Sequence, residues 1–255
     1  MTQQADFSDE IIYGKHAVRE ALKEKRQINK VFFQKGMEKN QFSDIFKLVK
    51  QRNLILQEVP KAKLDALTQD GNHQGVVLSL PAYAYANLED AFNLAEQRGE
   101  APFLFILDEI EDPHNLGSII RTADAMGVHG IILPKRRSAT LTGTVAKVST
   151  GAIEHVPVIR VTNLSQTVKK LQDKGVWVFA SAMEGEDIRQ WDSHGSIAVV
   201  IGNEGSGVSA SLLKACDGTV TIPMTGHVQS LNASVAAGIF MYEVARHRIA
   251  SIKGI

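Results

Sequence analysis

Cysteine is almost absent from this 255-residue chain: its one thiol, Cys216, leaves no internal disulfide to brace a fold and suits a reducing compartment. Long apolar runs are missing too, since nothing approaches the ~18 consecutive apolar residues of a membrane span. The opening MTQQADFSDE has no basic start followed by an apolar stretch, so no secretory signal is expected. Net charge is also lacking, with 28 Lys and Arg against 28 Asp and Glu, so the chain as a whole offers a polyanion no basic surplus. The balance shifts only mildly along the sequence, from 13 basic against 10 acidic in residues 1–81 to 15 against 18 in residues 82–255. That asymmetry reads as solvated surface charge, because patches rather than totals bind phosphate. What is present is ordinary globular composition, 44% apolar and 22% charged, in a length that can bury a sizeable core. A soluble, cytoplasmic protein with no membrane partner is expected.

Residues 10–81 read as a small α/β domain. YGKHAVREALKEK and FSDIFKLVKQRN have helical spacing, whereas INKVFFQKG, LILQEVP and GVVLSL read as strands. Residues 82–101 read as a connector with a short helix, punctuated by Gly99 and closed by Pro102. From 102 to 255 the rhythm becomes regular. FLFILD, GIILP, VPVIRV, VWVFASA and IAVVIG are short, nearly continuous apolar runs, as strands buried on both faces of a parallel sheet require. Amphipathic stretches near 116–126, 163–174 and 207–215 separate them, so a doubly wound, mostly parallel α/β domain is expected. Ligands of such sheets collect at the carboxyl ends of the strands, which directs attention to three loops.

The first loop, EDPHNLGSIIRTADAMG, follows FLFILD. Asn115 suits the N-cap of the helix that starts there. Arg121, six residues on, reads equally as a surface or salt-bridged arginine and as one that awaits a phosphate or carboxylate. The second loop, GNEGSGVSASLL, follows IAVVI and holds three glycines in six residues, which permits close backbone approach. It lacks the Lys-Ser/Thr ending of a triphosphate loop, and the Glu204 carboxylate within it favours a neutral or cationic ligand at that point. The third, TGHVQSLN, lies between the strand TVTIPM and the helix ASVAAGIFMYEVARHR. Ser230 can cap that helix, yet one cap does not require Thr225, His227, Gln229 and Asn232 as well.

Taken in order, NLGSIIRTA, VIGNEGSGVS and IPMTGHVQSLNASVAAGIFMYE closely resemble the three signature motifs of the SpoU (TrmH-type) RNA 2′-O-ribose methyltransferases. Residues 11–80, including NHQGVVL, resemble the small substrate-binding domain that precedes the catalytic domain in the bacterial 23S rRNA guanosine-2′-O-methyltransferases. The resemblance implies a trefoil-knotted (SPOUT) α/β domain behind a small ribosomal protein L30e-like α/β domain that binds RNA. It also implies S-adenosyl-L-methionine as cofactor, bound in the knot by Gly202, Ile222 and Leu231 largely through backbone groups. Asn115, Arg121, Glu204, Ser230 and Asn232 match the family's functional polar positions. The implied substrate is a guanosine of 23S rRNA in the peptidyl-transferase P loop, free or within a ribosomal assembly intermediate. A tRNA ribose methylase and a non-catalytic RNA-binding protein are the alternatives. The resemblance further implies a homodimer, with the last helix near the interface.

Methyl transfer from a sulfonium to a ribose hydroxyl is an in-line displacement, for which positioning alone can contribute up to ~7–11 kcal/mol. A guanidinium with a pKa above ~12 is a poor base, so Arg121 is expected to clamp the target phosphate and stabilise developing alkoxide charge. Lys135, Arg136 and Arg137 follow the strand GIIL and are expected to contact RNA phosphates from the same sheet edge. His73 and Gln74 are as well suited to bracing a turn as to touching RNA. The scattered histidines offer no metal-ligand cluster, and no metal is expected.

Overall fold

The computed structural model describes residues 11–253 apart from 25 and 229; residue 10, where the first domain was expected to begin, and Gln229 of the third loop lie outside the described residues. Two compact units divide the chain, one holding residues up to 84 together with 140–143, the other 85–139 and 144 onward.

The first unit contains β1 (Ile11–Tyr13), α1 (Lys15–Lys23), β2 (Lys30–Gln34), α2 (Ser43–Gln51), β3 (Leu56–Val59), α3 (Lys61–Thr68) and β4 (Val76–Ser79). The sheet order is β1-β4-β2-β3, with β4 antiparallel to β1 and β2, and β3 parallel to β2. Side-chain alternation along β2 sorts the core. Val31 and Phe33 join Val18, Leu22, Phe42 and Ile45, while Phe32 packs with Val59, Leu64 and Val77. The sheet is therefore covered on both faces, α3 supplying Leu64 to the second. The sequence pattern did not single out α3.

The second unit opens with α4 (Leu88–Arg98) and continues through β5 (Phe103–Leu107), α5 (Pro113–Ala125), β6 (Gly130–Pro134), α6 (Gly143–Ser149), β7 (Val158–Val161) and α7 (Leu164–Asp173). β8 (Trp177–Asp187), β9 (Ile197–Ile201), α8 (Ala210–Leu213), β10 (Gly218–Thr221) and α9 (Ala233–Lys253) complete it. Residues 85–101 of the expected connector thus belong to this unit rather than to a free linker. α4 buries Ala91 and Ala95, and Ala91 packs with Leu104, Ile106, Val168 and Val200. Asn87 and Asp90 form a capping box at its start, and Gly99 ends it in the left-handed region.

The sheet runs β10-β8-β9-β5-β6-β7 and every pairing is parallel. Phe103–Leu107 and Ile197–Ile201 are wholly buried, as their continuous apolar sequences require. Each Val, Leu, Ile or Phe side chain among them contributes about 1.5–3 kcal/mol by leaving water. Strand order reverses at β5, which pairs with β9 on one side and β6 on the other, so a crevice opens beyond the carboxyl ends of β5 and β9. Register brings the two ends together, Leu107 opposite Ile201. β8 runs further than its apolar stretch because, after a shift in register, Glu186 and Asp187 pair with Val220 and Thr221 of β10. Among the described residues, no helix is long and apolar enough to cross a membrane.

Candidate functional site

The chain leaving β5 starts with Asp108, whose buried carboxylate accepts a hydrogen bond from the Ser209 amide at 2.9 Å. That bond ties the first loop to the far end of the glycine loop. Helix α5 follows, capped by Asp112, whose side chain accepts from the His114 amide at 2.9 Å, with Pro113 in the first turn. Asn115 therefore is not the N-cap that its residue type suggested. It lies in the first turn, buried, and turns both ends of its amide to other loops.

Its Nδ2 donates to Glu204 Oε1 at 2.6 Å, and its Oδ1 accepts from Asn232 Nδ2 at 2.9 Å. The same Glu204 oxygen accepts from Asn232 Nδ2 and from the Ala233 amide, both at 3.3 Å. Ala233 opens α9, so the carboxylate stands at the amino end of a 21-residue helix, where the aligned peptide dipoles favour negative charge. Asn232, not Ser230, caps that helix: its Oδ1 accepts from the Ser234 amide at 3.0 Å and the Ser234 hydroxyl at 2.6 Å. Three residues separated by 89 and 117 positions thus form one hydrogen-bonded cluster.

The glycine loop is shaped by its own chain. Asn203 Oδ1 accepts from the Gly205 amide at 2.8 Å, and Asn203 Nδ2 donates to the Glu109 carbonyl at 3.2 Å. Gly202 has no room for a side chain, because a Cβ there would overlap the carbonyl of Gly207 and the amide of Val208. Beside this loop lies a cavity of about 340 Å³. Gly202, Glu204, Ile222, Ser230 and Leu231 line it, together with Met183 and Met224, which the sequence pattern did not single out. The backbone groups of Ile222, Met224 and Leu231, which line it, make no hydrogen bond among the described residues. Its size falls in the range of small-molecule sites. Unspent backbone polarity, two thioethers and one carboxylate suit a ligand with a polar, hydrogen-bonding outline and a positive centre.

Arg121 stands apart. Six residues along a 3.6-residue helix carry it roughly 240° around the axis from Asn115. It is exposed and forms no hydrogen bond or ion pair among the described residues. α5 packs along α9 with Thr122 facing Gly238. On α9 itself, Val235 and Tyr242 are 51% and 61% exposed and lie on one face with Ile239.

The basic loop after β6 does lie on the carboxyl edge, but its three cations differ. Arg137 donates to Glu109 Oε1 at 2.6 Å, and the carboxylate pushes its pKa further up. The Lys135 carbonyl accepts from Arg160 at 3.1 Å, while Arg136 is exposed and unpaired among the described residues. His73 and Gln74 brace a turn: His73 is buried, and Gln74 Oε1 accepts the Lys15 amide at 2.9 Å. Burial pushes the Cys216 thiol up to about 12, so it is no nucleophile. Among the described residues, no group of three or more His, Cys, Asp or Glu could hold a metal ion.

The parallel α/β unit thus gathers two strand-end loops around one cavity and ties the third to them through Asn115. Residues 102–242 match the SpoU rRNA methylase family, and residues 11–86 match the family described as RNA 2′-O ribose methyltransferase substrate binding. The chain belongs to the SpoU rRNA methylase family and is an RNA methyltransferase of it. YacO of Bacillus subtilis (strain 168), provisionally named a TrmH family tRNA/rRNA methyltransferase, is 49% identical over 249 residues, covering 97% of this chain and 98% of that protein. A protein of Staphylococcus aureus (strain MSSA476) under the same provisional family name is 52% identical over 243 residues, covering 95% of this chain and 98% of its own. The SpoU methyltransferase AviRb of Streptomyces viridochromogenes, solved in complex with AdoMet, shares the fold, with a TM-score of 0.58, 23% identity and coverage of 95% and 92%. An AdoMet-bound rRNA methyltransferase of Sinorhizobium meliloti gives 0.55 at 26% identity, covering 93% of this chain and 87% of its own.

Proposed function

We propose that this chain transfers a methyl group from S-adenosyl-L-methionine to the ribose 2′-oxygen of a guanosine in 23S rRNA, in the peptidyl-transferase P loop. The observation that carries the reading is the cavity beside Gly202, lined by the second and third motif loops and joined to the first through the Asn115–Glu204 hydrogen bond. S-adenosyl-L-methionine is the methyl donor, and when bound it supplies a methyl carbon already activated by the sulfonium. Gly202, Ile222 and Leu231 hold it through peptide groups, and Ser230 and the Glu204 carboxylate line the same cavity. Asn115 and Asn232 fix that carboxylate by hydrogen bonds, so it needs no reorganisation when the donor enters.

Arg121 clamps the phosphate beside the target ribose and stabilises charge that develops on the attacking oxygen. Its exposure, together with the exposed apolar stripe Val235–Ile239–Tyr242 on the helix that α5 packs along, supports a homodimer in which a second copy completes each site. The C-terminal unit is read as trefoil-knotted, with the loop 225–232 gripping the donor. The first unit is read as an L30e-like domain that binds RNA by shape, in a cytoplasmic enzyme acting on rRNA or a ribosomal assembly intermediate. Arg136 and Lys135 are read as phosphate contacts, and Arg137 as a third once it leaves Glu109. The rRNA methylase family that residues 102–242 match supports rRNA as the substrate. A tRNA ribose is the second reading, since the relatives' names join the two RNAs.

The test is transfer of labelled methyl from S-adenosyl-L-methionine to unmethylated 23S rRNA and, in parallel, to unmodified bulk tRNA, with Arg121→Ala as control. Label on a ribose of 23S rRNA, lost in the variant, is expected. Label on tRNA alone contradicts the rRNA assignment. Label on neither leaves an RNA-binding protein that kept the fold.

A further inference from the structure

At the end of the four-stranded sheet where β2 and β3 finish, the first unit contains a cavity of about 320 Å³ of its own, separate from the motif loops. Gln34, Met37, Lys61, Asn72 and Gln74 line it. One wall is the loop 69–75, and that wall is built at a cost. Gln69, Asp70 and Gln74 all adopt positive φ, at 52°, 62° and 51°, where side chains other than glycine are strained. His73 holds the loop in place. It is buried, with Nε2 2.9 Å from Asp65 Oδ1 and Nδ1 accepting the Gly75 amide at 2.9 Å, so Nε2 carries the proton and donates to Asp65. The Gln74 oxygen is fixed by the Lys15 amide. The Met37 thioether lies against Gly75 as an apolar floor.

What this rigid frame presents is chiefly amide. The side chains of Gln34 and Asn72 make no hydrogen bond among the described residues, and the Gln74 amide nitrogen is likewise free. Asp65 and Asp70 line the cavity along with Lys61, so its charge does not favour an anion. A neutral, flat group with donors and acceptors on its edge and an apolar face fits: the edges meet the amides and the face meets Met37. Tyr13, 39% exposed, lies against Gly71 at the rim, and this close approach requires that Gly71 lack a side chain. It offers a stacking surface beside the opening. We propose that this cavity receives one unpaired base of the substrate RNA, read by Gln34 and Asn72, while Lys35 and Lys61 meet the flanking phosphates. Recognition of this kind belongs to loops and bulges, whose unstacked bases can be splayed out of the chain.

The inference rests on the RNA substrate proposed above, and the test separates the two. Full-length wild type is compared with the double variant Gln34→Leu, Asn72→Leu, which keeps side-chain size and removes both amides. Both positions are at least partly exposed, and unchanged melting and S-adenosyl-L-methionine affinity check that the variant folds. With 23S rRNA and tRNA transcripts as substrates, the KM for the methylated RNA is expected to rise about tenfold at unchanged kcat, the size of two lost hydrogen bonds. Asn72→Gln, which keeps an amide, is expected to fall between the two. Unchanged KM in the double variant overturns the proposal. If wild type methylates neither transcript, it is the enzymatic reading that fails. Filter retention of the same transcripts then decides the cavity: weaker retention by the double variant supports it, and equal retention overturns it.

Discussion

Glu204 and Arg121 were expected in one site on the same kind of sequence signal, yet the chain treats them in opposite ways. The Glu204 oxygen receives three hydrogen bonds from two asparagines and a helix amide, while Arg121 is exposed and has none among the described residues. The same contrast separates the cavity-lining loops from the basic loop. Gly202, Ile222, Ser230 and Leu231 converge within one chain, whereas Arg136 faces solvent and Arg137 is held by Glu109. On the proposed reading, the donor side is held by hydrogen bonds within the chain. The substrate side is left open, for RNA and, on the proposed assembly, for a second copy to complete. A site built this way places its rigid cost where the ligand is small and constant, and its freedom where the ligand is large.

Substitution should affect the two sides differently. The largest effect is expected from Arg121→Ala, a loss of about 10²–10³ in methyl transfer, the range for removing one charge-stabilising donor. Its melting temperature should hold, because no bond within the chain is lost. A parallel loss of stability would show that Arg121 braces the fold. Next comes Glu204→Ala, which leaves the buried Asn115 amide without its acceptor and should cost about 1–3 kcal/mol in urea denaturation. Glu204→Gln, which keeps an oxygen there, should recover much of that stability. Smaller again, Arg136→Ala should weaken RNA binding and lower the salt slope by about 0.7–0.9 for one lost phosphate contact. Arg137→Ala should do less, because Glu109 already offsets its charge. Equal slopes for the two would mean that RNA breaks the Arg137–Glu109 pair.

The last prediction concerns the opposite end of β5. His129 is wholly buried, its Nδ1 accepts the Phe103 amide at 3.0 Å, and Nε2 lies 3.1 Å from Glu100. Burial outweighs the nearby carboxylate and lowers its pKa to about 4. The unfolded chain binds that proton near pH 6.5 and the folded one only near 4, so stability is intact above the upper value and falls as pH drops through this window. Thermal melts from about pH 7 to 4 should show the slope, and His129→Gln should flatten it.

Much of this architecture was legible in the sequence. The five apolar runs after residue 102 are all strands, β5 and β9 being buried on both faces throughout, whereas β8 exposes Trp177 and Met183. The first two motif loops were legible because each begins where such a run ends. Other features depended on tertiary partners. The helix caps proved to be Asp112 and Asn232 instead of Asn115 and Ser230, because the displaced residues serve another loop or the cavity. α8 has four residues where 207–215 suggested a longer helix. The strand order that sets β9 beside β5 rests on pairing across more than 90 residues, which no local pattern carries. In the sequence Asp108 reads only as the end of a strand. Its role appears only once Ser209, 101 residues away, is seen to donate to it.

The most direct test of the contrast is titration of S-adenosyl-L-methionine into wild type and Arg121→Ala in the absence of RNA. The account predicts saturable binding with equal affinity in both proteins, although only wild type transfers the methyl group. Binding that appears only when RNA is added, or that weakens in Arg121→Ala, would contradict a donor side complete within the chain.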